Sequence, residues 1–144
     1  MTRRALVAAG RMLVVAAAAP ALGGCGAGIV VQDDFLVQRS GSVPGAALTL
    51  VVNDAGTATC NRKSPVPISG PQLIQARYIQ TTMAPQAQKG LTLAAGPHPV
   101  FRYYVRTPDG HVSFYDDSKG VPSVFDSLTL LTLQIAQQDC HLRM

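Results

Sequence analysis

The residues best suited to chemistry in this 144-residue chain are its three cysteines, Cys25, Cys60 and Cys140. A thiol can be acylated, oxidised to a disulfide or bound to a metal, and its surroundings determine which of these occurs. Cys25 directly follows an apolar stretch near the start of the chain, whereas the other two lie in mixed sequence. We therefore expect Cys25 to have a different role from the other pair.

Residues 1–24 have the three parts of a secretory signal peptide. Three arginines lie among the first eleven residues, an apolar run follows over residues 12–22, and two glycines provide the small residues at its end. The run is shorter than the ~20 apolar residues that a membrane-spanning helix needs, and Pro20 would break such a helix. The sequence therefore predicts an export signal.

The end of this signal, Leu22-Gly23-Gly24-Cys25, resembles the lipobox of bacterial lipoproteins, in which a Leu stands three residues before a Cys with small residues between them. The resemblance implies that diacylglycerol is attached to the Cys25 thiol and that the chain is cut before this residue. Acyl chains such as palmitate would then hold the protein at the outer face of the cell membrane, since two chains suffice for stable anchoring. The alternatives are ordinary secretion and an uncleaved anchor.

Removal of residues 1–24 leaves 120 residues, which is the size of one small domain. Three of the twelve Lys and Arg residues lie in the signal, so nine remain against eight Asp, and the net charge becomes +1. Because nucleic-acid binding depends on a basic surplus, we predict no nucleic-acid partner. We also predict no cofactor, since the sequence has no phosphate-binding Gly-rich loop.

Cys60 and Cys140 are the two cysteines that follow Cys25. Outside the cytoplasm such a pair favours a disulfide, and a small domain without Trp benefits from the crosslink. Two free buried thiols are the alternative. A metal site is disfavoured because only His141, beside Cys140, could add a further ligand.

The first half of the remaining chain predicts a β-hairpin followed by a helix. Residues 48–52 and 57–60 are rich in β-forming residues, and the turn residues 53–56 join them. Ser69 is suited to cap a helix that has a proline two residues later, and apolar residues then recur at helical spacing. We expect this helix to stop at Pro85.

The second half repeats this order. Residues 101–106 and 111–115 are predicted strands, joined by a turn at residues 107–110. Ser123, with Asp126 three residues later, resembles a capping box at the start of a second helix. The predicted apolar face of that helix comprises Val124, Leu128, Leu131 and Ile135. Alternating Leu and Thr in this segment also permit a strand, which the length of the segment and the cap disfavour.

This layout predicts an α+β fold with one domain over residues 47–144 and a duplicated hairpin–helix order, ββαββα. We expect an antiparallel sheet of about four strands, both helices packed on one face, and a disulfide between Cys60 and Cys140. Residues 25–46 are punctuated by Gly and Ser and are predicted to be a flexible, lipid-anchored tether. The apolar segment 29–37 within it also permits a short strand.

The signal and residues 46–140 together are similar to small actinobacterial-type cell-envelope lipoproteins of uncharacterised function. The shared features are the lipobox, a hairpin that ends in Cys60, a Pro-containing loop before a helix, a second hairpin, and a final helix that ends in Cys140. The resemblance implies an architecture and a location, but it brings no known activity.

Two groups of residues are candidates for binding. Alternation along the strand that begins at residue 101 places Arg102, Tyr104 and Arg106 on one face. Arg and Tyr are enriched at interaction hot spots, so these three residues form a candidate interaction face, with an ordinary solvated sheet face as the alternative. The second candidate is His98 in a Pro-flanked loop, and a solvated loop is its alternative.

Nothing in the sequence marks a catalytic residue, since there is no nucleophile motif and no Glu. We therefore expect a non-enzymatic domain, held at the membrane through Cys25, that binds an envelope protein, a peptide, or cell-wall or lipid material. A second possibility is a protease-inhibitor-like module that presents residues 96–100. A third is a small envelope hydrolase or accessory enzyme, which would need a His to meet an Asp in a cleft.

Overall fold

Six strands form one antiparallel sheet in a computed structural model of the protein, which describes residues 32–143. Their order across the sheet is β4-β3-β2-β1-β5-β6, so the first strand in sequence lies near the centre. The strands are β1 (Asp33–Gly41), β2 (Leu48–Asn53), β3 (Thr57–Cys60), β4 (Val66–Pro67), β5 (Phe101–Thr107) and β6 (Gly110–Tyr115). The α+β class and both predicted hairpins are confirmed.

The predicted tether is wrong over β1, because this strand pairs with β2 on one side and β5 on the other. The alternative of a short strand within residues 29–37 is closer to the structure, although β1 begins at Asp33 and continues to Gly41. Phe35 and Val37 point into the core and are fully buried, which explains why this segment is ordered despite the Gly and Ser residues that follow it. The sheet therefore has six strands and not about four, and the element order is not ββαββα. Residues 1–31, which include the predicted signal and Cys25, lie outside the described residues.

The sixth strand is the short β4, in a segment whose two prolines predict a loop. Val66 and Pro67 pair with β3 at the edge of the sheet. Proline is tolerated there because an edge strand has one side without a hydrogen-bonded neighbour.

Helix α1 (Gly70–Gln88) begins as the sequence predicts and ends later. The Ser69 hydroxyl accepts from the Gln72 backbone N–H at 3.4 Å, and the Gln72 side-chain oxygen accepts from the Ser69 N–H at 2.7 Å, so both halves of a capping box are present. The helix continues through Pro85, contrary to the prediction. Proline removes one backbone hydrogen bond, and burial of Met83 and Ala87 on either side keeps the helix on the sheet.

Helix α2 (Ser123–Gln134) is followed by a π-helical segment, Ile135–Asp139. The predicted capping role of Ser123 is wrong: Pro122 occupies the N-cap position, and no side chain caps the helix. The predicted apolar face is confirmed, because all four of its residues are buried: Val124, Leu128, Leu131 and Ile135.

Both helices cover one face of the sheet and share a single buried cluster with its inward-facing residues. The Phe114 ring stacks between Tyr103 on the neighbouring strand and Phe125 on α2, with ring centroids at 5.0 and 4.7 Å. The predicted disulfide is confirmed, since Cys60 at the end of β3 is bonded to Cys140 after the π-helical segment. This bond ties the first hairpin to the C-terminal end of the domain.

Candidate functional site

The candidate interaction face lies on the side of the sheet opposite the helices. Arg102, Tyr104 and Arg106 alternate along β5 with the inward residues Tyr103 and Val105, which are buried. Arg102 and Arg106 are exposed and Tyr104 is half-buried. The predicted division of this strand into a core face and an outer face is therefore confirmed.

Neighbouring strands support this row of side chains. The Tyr104 ring stacks on His111 of β6 with centroids 5.7 Å apart, and the Arg102 guanidinium lies 6.0 Å from the centre of the Tyr115 ring. Gln38 of β1 is directly opposite Tyr104. The row therefore presents a supported aromatic ring between two exposed guanidinium groups, a chemistry suited to contacting acidic and flat polar surfaces.

Charge on this face changes along the strand. Asp33, at the start of β1, shares a shallow hollow with Arg106. At the other end, a second hollow is lined by residues 38–40 of β1 together with Arg102 and Tyr104, without a carboxylate. The Arg102 end is therefore the more suitable part of the face for an acidic group.

Residues 96–100, which include His98, form a braced loop that is held in place by the two carboxylates after β6. The Asp117 carboxylate accepts from the backbone N–H groups of Gly96 at 2.8 Å and His98 at 2.7 Å. The Asp116 carboxylate accepts from the Val100 N–H at 3.0 Å. A side chain at position 96 would collide with the backbone of Asp117, so glycine is required there for the loop to approach this closely. The His98 side chain itself is exposed.

The three histidines lie in separate elements and are all exposed. His98 is in the braced loop, His111 is on the outer face of β6, and His141 follows the disulfide near the C-terminus. Within residues 32–143 there is no group of three His, Cys or Asp side chains that could hold a metal ion. The imidazoles in the described part of the chain are therefore not brought together in one place.

A cavity that the sequence did not indicate lies between the inner face of the sheet and α2. It has a volume of about 470 Å³, and its lining comes from residues 43–46, β1, β5, Asp116 and the α2 region. Arg39 lies at this cavity and is only 6 % exposed. The sequence carries one sign of it: Phe35, Val37 and Arg39 alternate, as the inward-facing residues of a strand do. This pattern lies within the segment predicted to be a tether.

The opposite end of β1 carries a buried acid. Asp34 occupies a register shift between β1 and β2, is 4 % exposed, and has a buried oxygen without a hydrogen-bond partner among the described residues. Burial raises the pKa of the Asp34 carboxyl, and the negative charge of Asp54 adds to that rise. Asp54 is itself paired with Arg77 at 2.7 Å on the surface. Burial of this carboxyl with an unpaired oxygen costs stability at this end of the domain.

Among residues 32–143, no helix is long and apolar enough to cross a membrane. Comparison of the chain with protein families, with curated proteins and with solved structures finds no match.

Proposed function

We propose that the protein is a non-enzymatic, lipid-anchored protein of the cell envelope, attached to the outer face of the membrane through Cys25, and that its domain acts by binding. The anchor is supported by the Leu22-Gly23-Gly24-Cys25 sequence and by the arginine-flanked apolar run before it. The Cys60–Cys140 disulfide is consistent with this location, because disulfides persist mainly in oxidising compartments.

The observation that carries the binding function is the row formed by Arg102, Tyr104 and Arg106 on the side of the sheet opposite the helices. Guanidinium groups donate paired hydrogen bonds to carboxylate or phosphate oxygens, and a supported Tyr ring adds contact area at low entropic cost. We therefore propose that the partner is an envelope component that presents acidic groups to the Arg102 end of this row.

The braced loop gives less support to a protease-inhibitor-like function. A segment that pairs with a protease as an added strand must offer backbone N–H groups. Within residues 96–100, the N–H groups of Gly96, His98 and Val100 are bonded to Asp116 or Asp117, and the other two residues are prolines without an N–H. The loop is rigid, as that hypothesis requires, but the donors needed for strand pairing are already used.

The hydrolase alternative requires an imidazole to meet a carboxylate in a cleft. All three histidines are exposed, and the imidazole of His111 stacks on Tyr104 on the open sheet face. General acid–base catalysis depends on a group positioned and partly shielded from water. The binding hypothesis therefore has more support from the geometry than the catalytic one.

The anchor is tested by metabolic labelling with a radioactive fatty acid and by separating membrane from medium. The wild-type chain should incorporate label and stay with the membrane, and Cys25→Ala should lose both properties. Ala27→Ser, two residues further on, is the control and should behave as wild type. Membrane retention of an unlabelled Cys25→Ala chain would refute the anchor.

The binding face is tested by placing a photo-crosslinking residue at Gln38, beside Tyr104, in the native envelope. A specific adduct should form and should disappear in the Arg102→Ala/Arg106→Ala variant. A matched control with two charges removed elsewhere, Lys63→Ala/Arg143→Ala, should keep it, since both residues are exposed. Equal adduct yields in the two variants would show that the row does not recognise a partner.

A further inference from the structure

The cavity of about 470 Å³ between the sheet and α2 is distinct from the row of Arg102, Tyr104 and Arg106. Cavities of roughly 300–1,000 Å³ with mostly apolar walls and a few polar groups are typical of small-molecule sites. This cavity opens where β1 ends and β5 begins, on the helix-covered side of the sheet. A ligand there would not compete with a partner on the row of Arg102, Tyr104 and Arg106.

The polar end of the cavity is built from Arg39 and Tyr103, which are 6 % and 4 % exposed. The Arg39 Nε donates to the Ala46 carbonyl at 2.8 Å, a terminal guanidinium nitrogen donates to the Gly45 carbonyl at 3.1 Å, and the guanidinium carbon lies 4.9 Å from the centre of the Phe101 ring. These contacts fix the position of the charge before any ligand arrives.

Tyr103 adds a hydroxyl group beside this charge. Burial raises the pKa of the Tyr103 phenol, and the positive charge of Arg39 opposes only part of that rise. The hydroxyl therefore stays protonated at neutral pH, and it contacts the side chains of both Arg39 and Thr129. A guanidinium and a phenol that converge on one space are complementary to a carboxylate.

Most of the remaining wall is apolar, and Thr129 and Gln137 add two uncharged polar side chains on the helical side. Val43 and Pro44 of the loop after β1 face Leu133 of α2 across the opening, and Val43 is 42 % exposed although it is a large aliphatic residue. Asp116 lies at the rim, but it is exposed to water and its carboxylate accepts from the Val100 N–H. Because a charge acts more strongly from a low-dielectric interior than from the surface, Arg39 dominates the electrostatic preference of the cavity.

We infer that this cavity binds a small amphipathic carboxylate of the fatty-acid type. The carboxylate contacts Arg39 and the Tyr103 hydroxyl, and the aliphatic chain lies against Val43, Pro44 and Leu133. A neutral alcohol of the same length lacks the charge, and an amine of the same length carries the wrong one.

The test is an NMR titration of the full chain carrying Cys25→Ser, so that binding is measured without a lipid anchor. The probes are octanoate, octanol and octylamine. Octanoate should bind saturably, at least tenfold more tightly than either of the others, and should shift the amide signals of residues 43–46 and of α2. Equal affinity for the three probes, shifts confined to other regions, or absence of saturable octanoate binding would each overturn the proposal.

Two kinds of variant identify the site. Arg39→Met should remove the preference for octanoate over octanol. Since Arg39 also bonds the 45–46 carbonyls, a second pair of variants at the exposed Val43 keeps the test independent of folding. Val43→Glu places a negative charge at the opening and should weaken octanoate binding severalfold relative to Val43→Gln, which has nearly the same shape. Equal octanoate affinity in the Val43 pair would contradict the assignment of the site.

Discussion

Loss of the Cys60–Cys140 disulfide should be the most damaging change to this domain that leaves its core side chains in place. The bond joins residues 80 positions apart, and the loop it closes contains both helices and the second hairpin. The chain-entropy relation gives about 4.5 kcal/mol at 25 °C for a loop of this length. Domains of this size are stable by only about 5–15 kcal/mol, so the bond accounts for a large share of the total.

Equilibrium urea unfolding of oxidised wild type, reduced wild type and the Cys60→Ala/Cys140→Ala variant measures this contribution. The reduced protein keeps both sulfur atoms, so its loss of unfolding free energy reports the crosslink alone. The double variant also loses buried atoms, because Cys60 is 2 % exposed, and should be the least stable of the three. With a urea dependence near 1.5 kcal/mol/M, the midpoint of the reduced protein should fall by about 3 M.

A reduced protein that unfolds within about 1 kcal/mol of the oxidised one would refute this reasoning. That result would mean that other contacts already hold the segments around Cys60 and Cys140 together without the bond. One contact of this kind is present, since the Gln72 side-chain amide of α1 donates to the Asp139 carboxylate at 2.8 Å, next to Cys140. Gln72→Ala in the reduced background would reveal whether that contact had substituted for the disulfide.

Three further changes have defined outcomes. Asp34→Asn should raise the unfolding free energy at pH 7. Burial raises the pKa of the Asp34 carboxyl above 3.8 in the folded state, so the wild type loses stability as the pH rises through the folded-state pKa. The gain in unfolding free energy from Asn should therefore vanish below about pH 3.8, and thermal melts at a series of pH values measure this. Asp117→Ala should increase amide hydrogen exchange in residues 96–100, as it removes the acceptor of two backbone N–H groups. Leu131→Ala should cost about 2–5 kcal/mol in denaturant unfolding, and Leu130→Ala, next to it but 52 % exposed, less than about 1 kcal/mol.

Each of these has a result that would contradict it. Asp33→Asn is the control for Asp34, since Asp33 is exposed, and equal pH profiles for the two variants would mean that burial is not the cause. Unchanged exchange in the loop after Asp117→Ala would mean that its prolines alone keep it rigid. Equal losses at positions 130 and 131 would be inconsistent with the observed side of α2 that faces the core.

The sequence is a good guide where the signal is local. Both hairpins follow from turn residues between alternating strands, and the buried face of α2 follows from helical spacing. The outer row on β5 is predicted for the same reason, because alternation alone separates Tyr103 from Arg102 and Tyr104. The disulfide is predictable since only two cysteines remain after Cys25, which leaves one possible pair.

The central strand is predicted only as an alternative to the tether, as a short strand within residues 29–37, because its support is distant in sequence. Val37 pairs with Leu50 on one side and Val105 on the other, and neither is visible from the Gly- and Ser-rich surroundings of β1. The inward-facing Arg39 also interrupts the apolar alternation. The cavity at Arg39 is missed, since it exists only where β1, β5 and α2 meet. At Pro85 the local signal itself is misleading. Proline usually ends a helix, but α1 continues through it because the residues on either side are buried against the core.

The position of β1 also changes what the proposed anchor can do. If residues 25–46 were all tether, the domain could move far from the membrane, whereas the sheet in fact begins at Asp33. Only seven chain steps separate Cys25 from Gln32, and a fully extended chain of that length spans about 24 Å. A lipid at Cys25 would therefore hold the central strand within one domain diameter of the bilayer. A partner of Arg102, Tyr104 and Arg106 must then lie in the layer next to the membrane. This favours membrane-associated components over those farther from the bilayer.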